Sequence, residues 1–496
     1  MASRFVFLID TNVFIPVEPT ACEHVEALTQ PIADLERLIR STENDLVVHP
    51  ELFRDIGRDR DRARQRLRTI LATKYPRLKR PPTPSETVEP TLGRVPESSH
   101  DWIDHHLLAA VVAGAVDFLV TEDGTMHLKA RRLSVAERVL KVADALEMVR
   151  RLYESVPPTP PAVEKVDGRR LDTSDSIFNS LRCDYPGFDG WLAKVQRENR
   201  PAWAIIEPED GYAGLCIVKE EVPDTYGMFD HVLKICTFKV SDRHEGYRFG
   251  ELLLKALFDY AEANAYDWLY LTALPDKSFL LEYLADFGFE QRGYTEDGRE
   301  IVLAKKRRYS RGDLEHLNAY SFHIRFGPPA AKWEGTPAFI VPIQPVYHER
   351  LFPEADPQVN LFSGHEPHGN AIRKAYLSRS NISLLQPGDL LYFYESRGGI
   401  GVSTAGVVEA VHLLSDPREI VRVVGKRTLY TFDEITRLTS GANPDVLAIN
   451  FRQARVLDRP LKLDELVRNG VVTAAPQSIQ TIPQRGASWI AQQTFQ

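Results

Sequence analysis

The stretch that most constrains this chain is Phe5-Val6-Phe7-Leu8-Ile9-Asp10-Thr11-Asn12. Five apolar residues in a row, aromatic or branched, read as a strand buried on both faces, as in parallel sheets. The run stops at an acid followed by two small polar residues. In an open α/β sheet this places Asp10 at the carboxyl end of a strand, where ligands and metals collect. The same pattern is also satisfied if Asp10 only caps the next helix. A second run, Val116-Asp117-Phe118-Leu119-Val120-Thr121-Glu122-Asp123, repeats the design.

Between the two runs, Asp45-Leu46-Val47-Val48-His49 offers a short strand, and Pro50 suits the first turn of a helix. That helix places Glu51 and Asp55 on one face, four residues apart. Ser98-Ser99 suits a cap for a further helix carrying Asp101 and Asp104. Asp10, Asp55 or Glu51, Asp104 or Asp101, and Asp123 are therefore expected to converge at one sheet edge. Four carboxylates that close repel one another, so the cluster calls for a hard cation, Mg²⁺ or Mn²⁺.

A chain of 496 residues divides into about three domains at ~150 residues each. The formal charge, 61 minus 69 or −8, argues against a uniformly basic nucleic-acid binder and leaves local patches open. From Arg54 to Arg80 there are eleven Lys or Arg against three Asp, a net +8. That is either a solvated helix face or a phosphate track. Four cysteines (Cys22, Cys183, Cys216, Cys236) lack CxxC or zinc-like spacing and read as reduced thiols of a cytoplasmic protein. No apolar run is long enough to span a bilayer, so no membrane partner is expected.

With these motifs in place, residues 1–152 resemble a PIN domain, the fold of many metal-dependent ribonucleases, including bacterial toxins. The resemblance implies that Asp10, Asp55, Asp104 and Asp123 are the catalytic, metal-binding carboxylates. Glu51 competes for the place of Asp55, and Asp101 for that of Asp104. The implied chemistry is phosphodiester hydrolysis by a metal-activated water. Thr11 or Asn12 would position the ion or the phosphate. His105 and His106 would meet the scissile phosphate or metal, or serve the structure.

Residues 153–171, with Pro157-Pro158-Thr159-Pro160-Pro161, read as a stiff linker. From 172 to 308 strands alternate with helices: Ala202 to Ile206, Ala213 to Val218, Val232 to Val240, a helix from Glu251, and Trp268 to Leu274. The turn Glu245-Gly246-Tyr247-Arg248-Phe249-Gly250 between strand and helix is the arrangement of an anion site. This segment resembles the GNAT acetyltransferases. The resemblance implies acetyl-CoA held by Val240, Glu245, Gly246, Arg248, Phe249 and Gly250. Two departures stand out. Arg248 takes the place of the loop's first glycine, and the usual general-acid tyrosine is Leu284, with Tyr283 about 100° away round the helix.

From 318 to 483 short strands dominate, with a helix expected over Asn370 to Ser380 and a tight turn at Gln386-Pro387-Gly388-Asp389. The run from Leu385 to Ser396, followed by Thr404 to Val411, resembles the PUA-like superfamily that includes ASCH domains, small β-barrels that often bind RNA. Arg373, Lys374, Arg379, Tyr392 and Tyr394 are its candidates for phosphate and base contacts. Residues 484–496 are expected to be a tail.

The expected fold is multidomain α/β and α+β: a PIN-like parallel sheet, a GNAT-like α/β domain and a PUA/ASCH-like β-barrel. The expected function is a metal-dependent endoribonuclease, toxin- or defence-like, acting on structured RNA such as tRNA and restrained by an antitoxin or regulatory protein. Two other readings remain: a GNAT N-acetyltransferase acting on an RNA-linked amine or on protein, and a non-catalytic RNA-binding regulator that senses acyl-CoA.

Overall fold

The computed structural model describes residues 4–20, 28–154, 162–207, 211–222, 226–244, 246, 248–355, 371–380, 382–396, 401–441 and 443–495. The proline run at 157–161 lies outside them. The chain forms two compact units. The first contains Met1–Pro158, Glu245–Tyr247 and Leu414–Pro444, and the second contains the rest.

In the first unit, β1 (Val6–Ile9), β2 (Asp45–Val48), β3 (Phe118–Val120) and β4 (Val139–Leu140) form one sheet in the order β2-β1-β3-β4. All three pairings are parallel. The expected buried strand is therefore central, with Phe7 and Leu8 fully buried. Its helices include α1 (Thr11–Val17), α2 (Leu52–Ile56), α3 (Arg62–Ala72), α4 (Asp101–Val112), α5 (Gly124–Arg132) and α6 (Val142–Tyr153). Asp10 and Asp123 cap α1 and α5, their side chains accepting from Thr11 N and Thr125 N.

Two helices from far along the chain complete this unit. Phe432, which opens the helix Phe432–Leu438, packs edge-on against Phe5 at 5.2 Å between centroids. The helix Pro417–Val424 brings Arg418 and Arg422 to Asp117, a carboxylate with no exposed surface. Arg422 donates to Asp117 Oδ1 at 2.7 Å, and Val6 N donates to Oδ2 at 2.8 Å. Sequence reading passed over Asp117 because it sits inside an apolar run, and its cations lie some three hundred residues away.

The second unit carries a seven-stranded sheet, ordered β10-β11-β9-β8-β7-β6-β5. Its strands are β5 (Glu164–Asp167), β6 (Pro201–Glu207), β7 (Gly211–Glu221), β8 (Val232–Val240), β9 (Trp268–Ala273), β10 (Glu290–Tyr294) and β11 (Ile301–Lys306). Strand β5 falls within the stretch expected to be linker. Strands β8 and β9 are parallel and pair only over Val232 to Lys234 against Trp268 to Tyr270. The connecting helix α7 (Phe249–Ala263) buries Leu252, Leu253, Leu254, Leu257 and Phe258.

A six-stranded mixed sheet follows in the same unit, ordered β13-β16-β15-β14-β12-β17. Its strands are β12 (Ala338–Ile343), β13 (Arg373–Ser378), β14 (Leu390–Glu395), β15 (Gly401–Leu414), β16 (Val446–Leu461) and β17 (Gln480–Thr481). Two expectations fail here. Residues Arg373 to Ser378 form a strand, not a helix, because pairing with Leu447 to Arg452 outweighs local propensity. The expected tail is the helix Gln484–Phe495, with Gly486, Ile490, Ala491 and Thr494 buried.

Asp117→Ala is expected to lower the stability of the first unit by about 3 kcal/mol, the low end for breaking a buried ion pair, because both guanidiniums keep some access to water. Arg418→Ala or Arg422→Ala alone should cost less, since each leaves Asp117 one cation. Urea unfolding of the three variants checks the order.

Candidate functional site

The carboxyl ends of β1 and β3 are tied by one hydroxyl. Thr121 Oγ1 donates to Asp10 Oδ2 at 2.7 Å and accepts from Asn12 Nδ2 at 3.0 Å and Asp123 N at 3.1 Å. Asp10 Oδ1 accepts from Thr11 N at 2.6 Å, and Asn12 Oδ1 accepts from Glu122 N at 3.2 Å. Asp10 is thus held rigidly in a buried position. Burial pushes its pKa up to about 7. Hydrogen bonds from Thr121 and Thr11 oppose the rise, while the charges of Asp104 and Asp123 add to it. Asp10, Asp104 and Asp123 therefore share one electrostatic neighbourhood.

Asp55 is placed differently. It lies on the short α2, facing Arg58 at 3.6 Å. Asp101 and Asp104, one turn apart on α4, are both taken by Lys129 of α5, whose Nζ is 2.6 Å from an oxygen of each. Burial pushes the Asp104 pKa up against the bond from Lys129, while that bond holds Asp101 below the usual carboxylate range. Sequence reading missed both Thr121, whose importance lies in its hydroxyl rather than in the neighbouring acids, and Lys129.

Among the described residues, no three His, Cys, Asp or Glu side chains converge as a metal cage. The four-carboxylate centre expected from the sequence is not assembled: Lys129 supplies the positive charge beside Asp104, and Asp55 has its own cation. A hydrated Mg²⁺ or Mn²⁺, bound through one or two carboxylates together with substrate phosphates, needs no such cage. Asp10, with Asp104 or Asp123, would supply those carboxylates.

The nearby histidines differ in role. His106 Nδ1 lies 2.8 Å from Trp102 O, and its ring rests on the Trp102 indole. His105 is 2 % exposed. Along the basic run, Asp59 takes Arg64 at 2.6 Å and Arg68 at 2.9 Å. Arg60, Arg62 and Arg66 are exposed, and no described acid pairs with them.

The second candidate site, at the start of α7, is built otherwise than expected. Glu245 lies outside the described residues, and Gly246 groups with the first unit, where an added Cβ would meet Asp144 N at 3.0 Å. Val240 ends β8, and Phe249 is buried against His244. Arg248 adopts a left-handed conformation with φ 60°. Its guanidinium turns to Glu251 at 3.0 Å and to the Arg373 carbonyl. Glu251, 7 % exposed, also accepts from Arg373 N at 3.1 Å. A Cβ on Gly250 would meet the Tyr283 hydroxyl at 2.9 Å. That hydroxyl has no hydrogen-bond partner among the described residues, and burial keeps it protonated. Leu284 is a core residue. These groups do not fit acyl-CoA. A pyrophosphate here would meet a buried carboxylate and a helix end already engaged by β13.

The expected RNA contacts of the third segment are corrected too. Lys374 and Tyr392 are wholly buried, Tyr394 is 6 % exposed, and Lys374 Nζ donates to Leu351 O at 2.7 Å. Arg373 is bound to acids, and of the five only Arg379 is exposed.

No family model matches the chain, and no curated protein does. Among solved structures, the chain is similar to ASCH from Zymomonas mobilis, at 14% identity, with 31% of this chain and 94% of that one covered and a TM-score of 0.24. It is similar to an IAA acetyltransferase from Bacillus cereus, at 16% identity, covering 29% of this chain and 97% of that one with a TM-score of 0.24. A third neighbour is the NatC complex bound to Gag peptide and CoA, at 13% identity, with 29% and 98% covered and a TM-score of 0.23. The protein is thus a mixed α/β, multi-sheet chain with ASCH and acetyltransferase folds among its neighbours. No helix among the described residues is long and apolar enough to cross a membrane.

His127 offers a stability test of this edge. Its Nε2–H donates to Thr121 O at 2.9 Å, and burial pushes its pKa down to about 3. In the unfolded chain the ring titrates near ~6.5. The unfolded form therefore binds more protons between those values, and stability falls as pH drops from about 6.5 toward 3. His127→Gln should flatten that part of the profile, read as urea midpoints at pH values on either side of 6.

Proposed function

We propose that the first unit hydrolyses phosphodiester bonds in RNA with the help of Mg²⁺ or Mn²⁺. The observation that carries this reading is Asp10, buried at the carboxyl end of a central parallel strand, where the charges of Asp104 and Asp123 help to raise its pKa. The PIN-like order of these acids in the sequence supports it, as do the exposed arginines of the α3 region. A bound divalent ion supplies an acidified water and neutralises charge on the phosphate.

The chain's own residues do the positioning. Thr11 N–H and Thr121 Oγ1 fix the two Asp10 oxygens, so the carboxylate needs no reorganisation to receive a cation. Asn12 locks the β3 end by accepting from Glu122 N. Lys129 balances Asp104 and Asp101 when no other cation is near and must yield Asp104 to admit one. Arg60, Arg62 and Arg66 form a cationic surface for the phosphate backbone. The toxin-like role and the restraining partner belong to this same reading.

Full-length protein incubated with total RNA is expected to cleave it in Mg²⁺ or Mn²⁺ and not in chelator. Asp10→Asn and Asp104→Asn should each reduce the rate ~100-fold or more, the scale of a group acting in the transition state. Lys129→Ala should lower the metal concentration needed for half-maximal rate. Cleavage that is indifferent to metal and to both Asn variants would sink the proposal. Separately, Arg62→Gln with Arg66→Gln should weaken RNA binding and flatten the slope of log affinity against log salt by about 1.4, at ~0.7 per single-strand contact.

A further inference from the structure

We infer that the central sheet is a non-catalytic scaffold whose coenzyme position is held permanently by strand β13 and its arginine. A helix N-terminus after a strand end, beside two strands that separate past a short pairing, is where a phosphate would be received. In this chain the place is filled from within. The main chain of Arg373 is gripped on both sides: its N–H donates to Glu251, and its carbonyl accepts from Arg248.

The Arg373 side chain extends the seal. It pairs with Asp286 at 3.0 Å and Glu409 at 3.7 Å, and it lies over the Phe287 ring at 5.1 Å. Arg452 sits over the same ring at 5.2 Å and shares Glu409 at 3.6 Å. One turn along α7 from Glu251, Lys255 pairs with Glu354 at 2.5 Å, and Gln453 donates to that same Glu354 oxygen at 2.7 Å. Glu251, Lys255 and Arg452 are 7, 6 and 3 % exposed.

Charges this deep are stable only when each is matched, and removing one partner leaves another stranded. A diphosphate would have to strip Arg248 and Arg373 from Glu251 and then lie beside the bared carboxylate. Alternating charges from α7, β13 and β16 therefore make the seven-stranded and six-stranded sheets one cooperative body.

Titration of the full-length wild type with CoA and with acetyl-CoA by calorimetry tests the first half. Neither heat nor a shift in melting temperature is expected up to about millimolar ligand, whereas saturable binding below that concentration overturns the inference. The second half is tested by Glu251→Gln, Arg373→Ala and the pair together. Each single change should lower the melting temperature by more than ~5 °C, and the double change by clearly less than the sum. If a single variant fails to fold, Arg373→Lys, which keeps the charge and loses the forked geometry, should still melt early in one transition. Unchanged melting in all of them overturns the inference. None of these measurements depends on RNA cleavage, so the result is independent of the activity proposed for the first unit.

Discussion

A carboxylate withdrawn from water must be given donors or cations, and much of this chain's architecture follows from how it meets that demand. Asp117 takes two arginines and the Val6 amide. Glu251 takes a guanidinium and an amide, and Glu354 an ammonium and a carboxamide. Asp10 differs. Among the described residues it has two hydrogen-bond donors and no ion-pair partner, two further acids add to its charge burden, and its pKa rises to about 7. A fully compensated acid serves structure. An acid left short of positive charge at a strand end is the one the proposed function assigns to an incoming ion.

The same contrast separates the two candidate sites. At the parallel sheet, Asp10 and Asp123 follow two strand ends and Lys129 pairs with Asp104, an ion pair that the proposed metal and phosphate would displace. At the start of α7, charges of both signs interlock with buried main chain, and the Glu251 carboxylate already has its donors. Two stretches of similar promise in sequence thus end in opposite electrostatic conditions.

What was legible in the sequence was what local pattern carries. The apolar run ending at Asp10, its repeat ending at Asp123, and the strands and helix around Gly250 all lie where periodicity placed them. What was not legible was pairing across distance. Arg373 to Ser378 has the polar, cationic look of a helix, and its ladder partner Leu447 to Arg452 decides otherwise. Lys374 and Tyr392 looked like RNA contacts and are core residues, the Lys374 amine donating to the Leu351 carbonyl while burial pushes its pKa down. Lys129 carries no local mark as the counter-ion of Asp104, since only the packing of α5 on α4 creates that role. Asp55, placed by resemblance, has its own arginine one turn away.

The returning helices of residues 414–444 set a timetable for synthesis. Asp117 and Arg418 are 301 residues apart in sequence. At ~5–20 residues per second, the interval between their emergence from the ribosome is roughly 15–60 s. Throughout it the nascent N-terminal sheet has an acid without its cations and the Phe5 ring without Phe432. The segment responsible for the proposed cleavage therefore matures only after the helices of residues 417–438 have emerged, a built-in delay between translation and a competent edge.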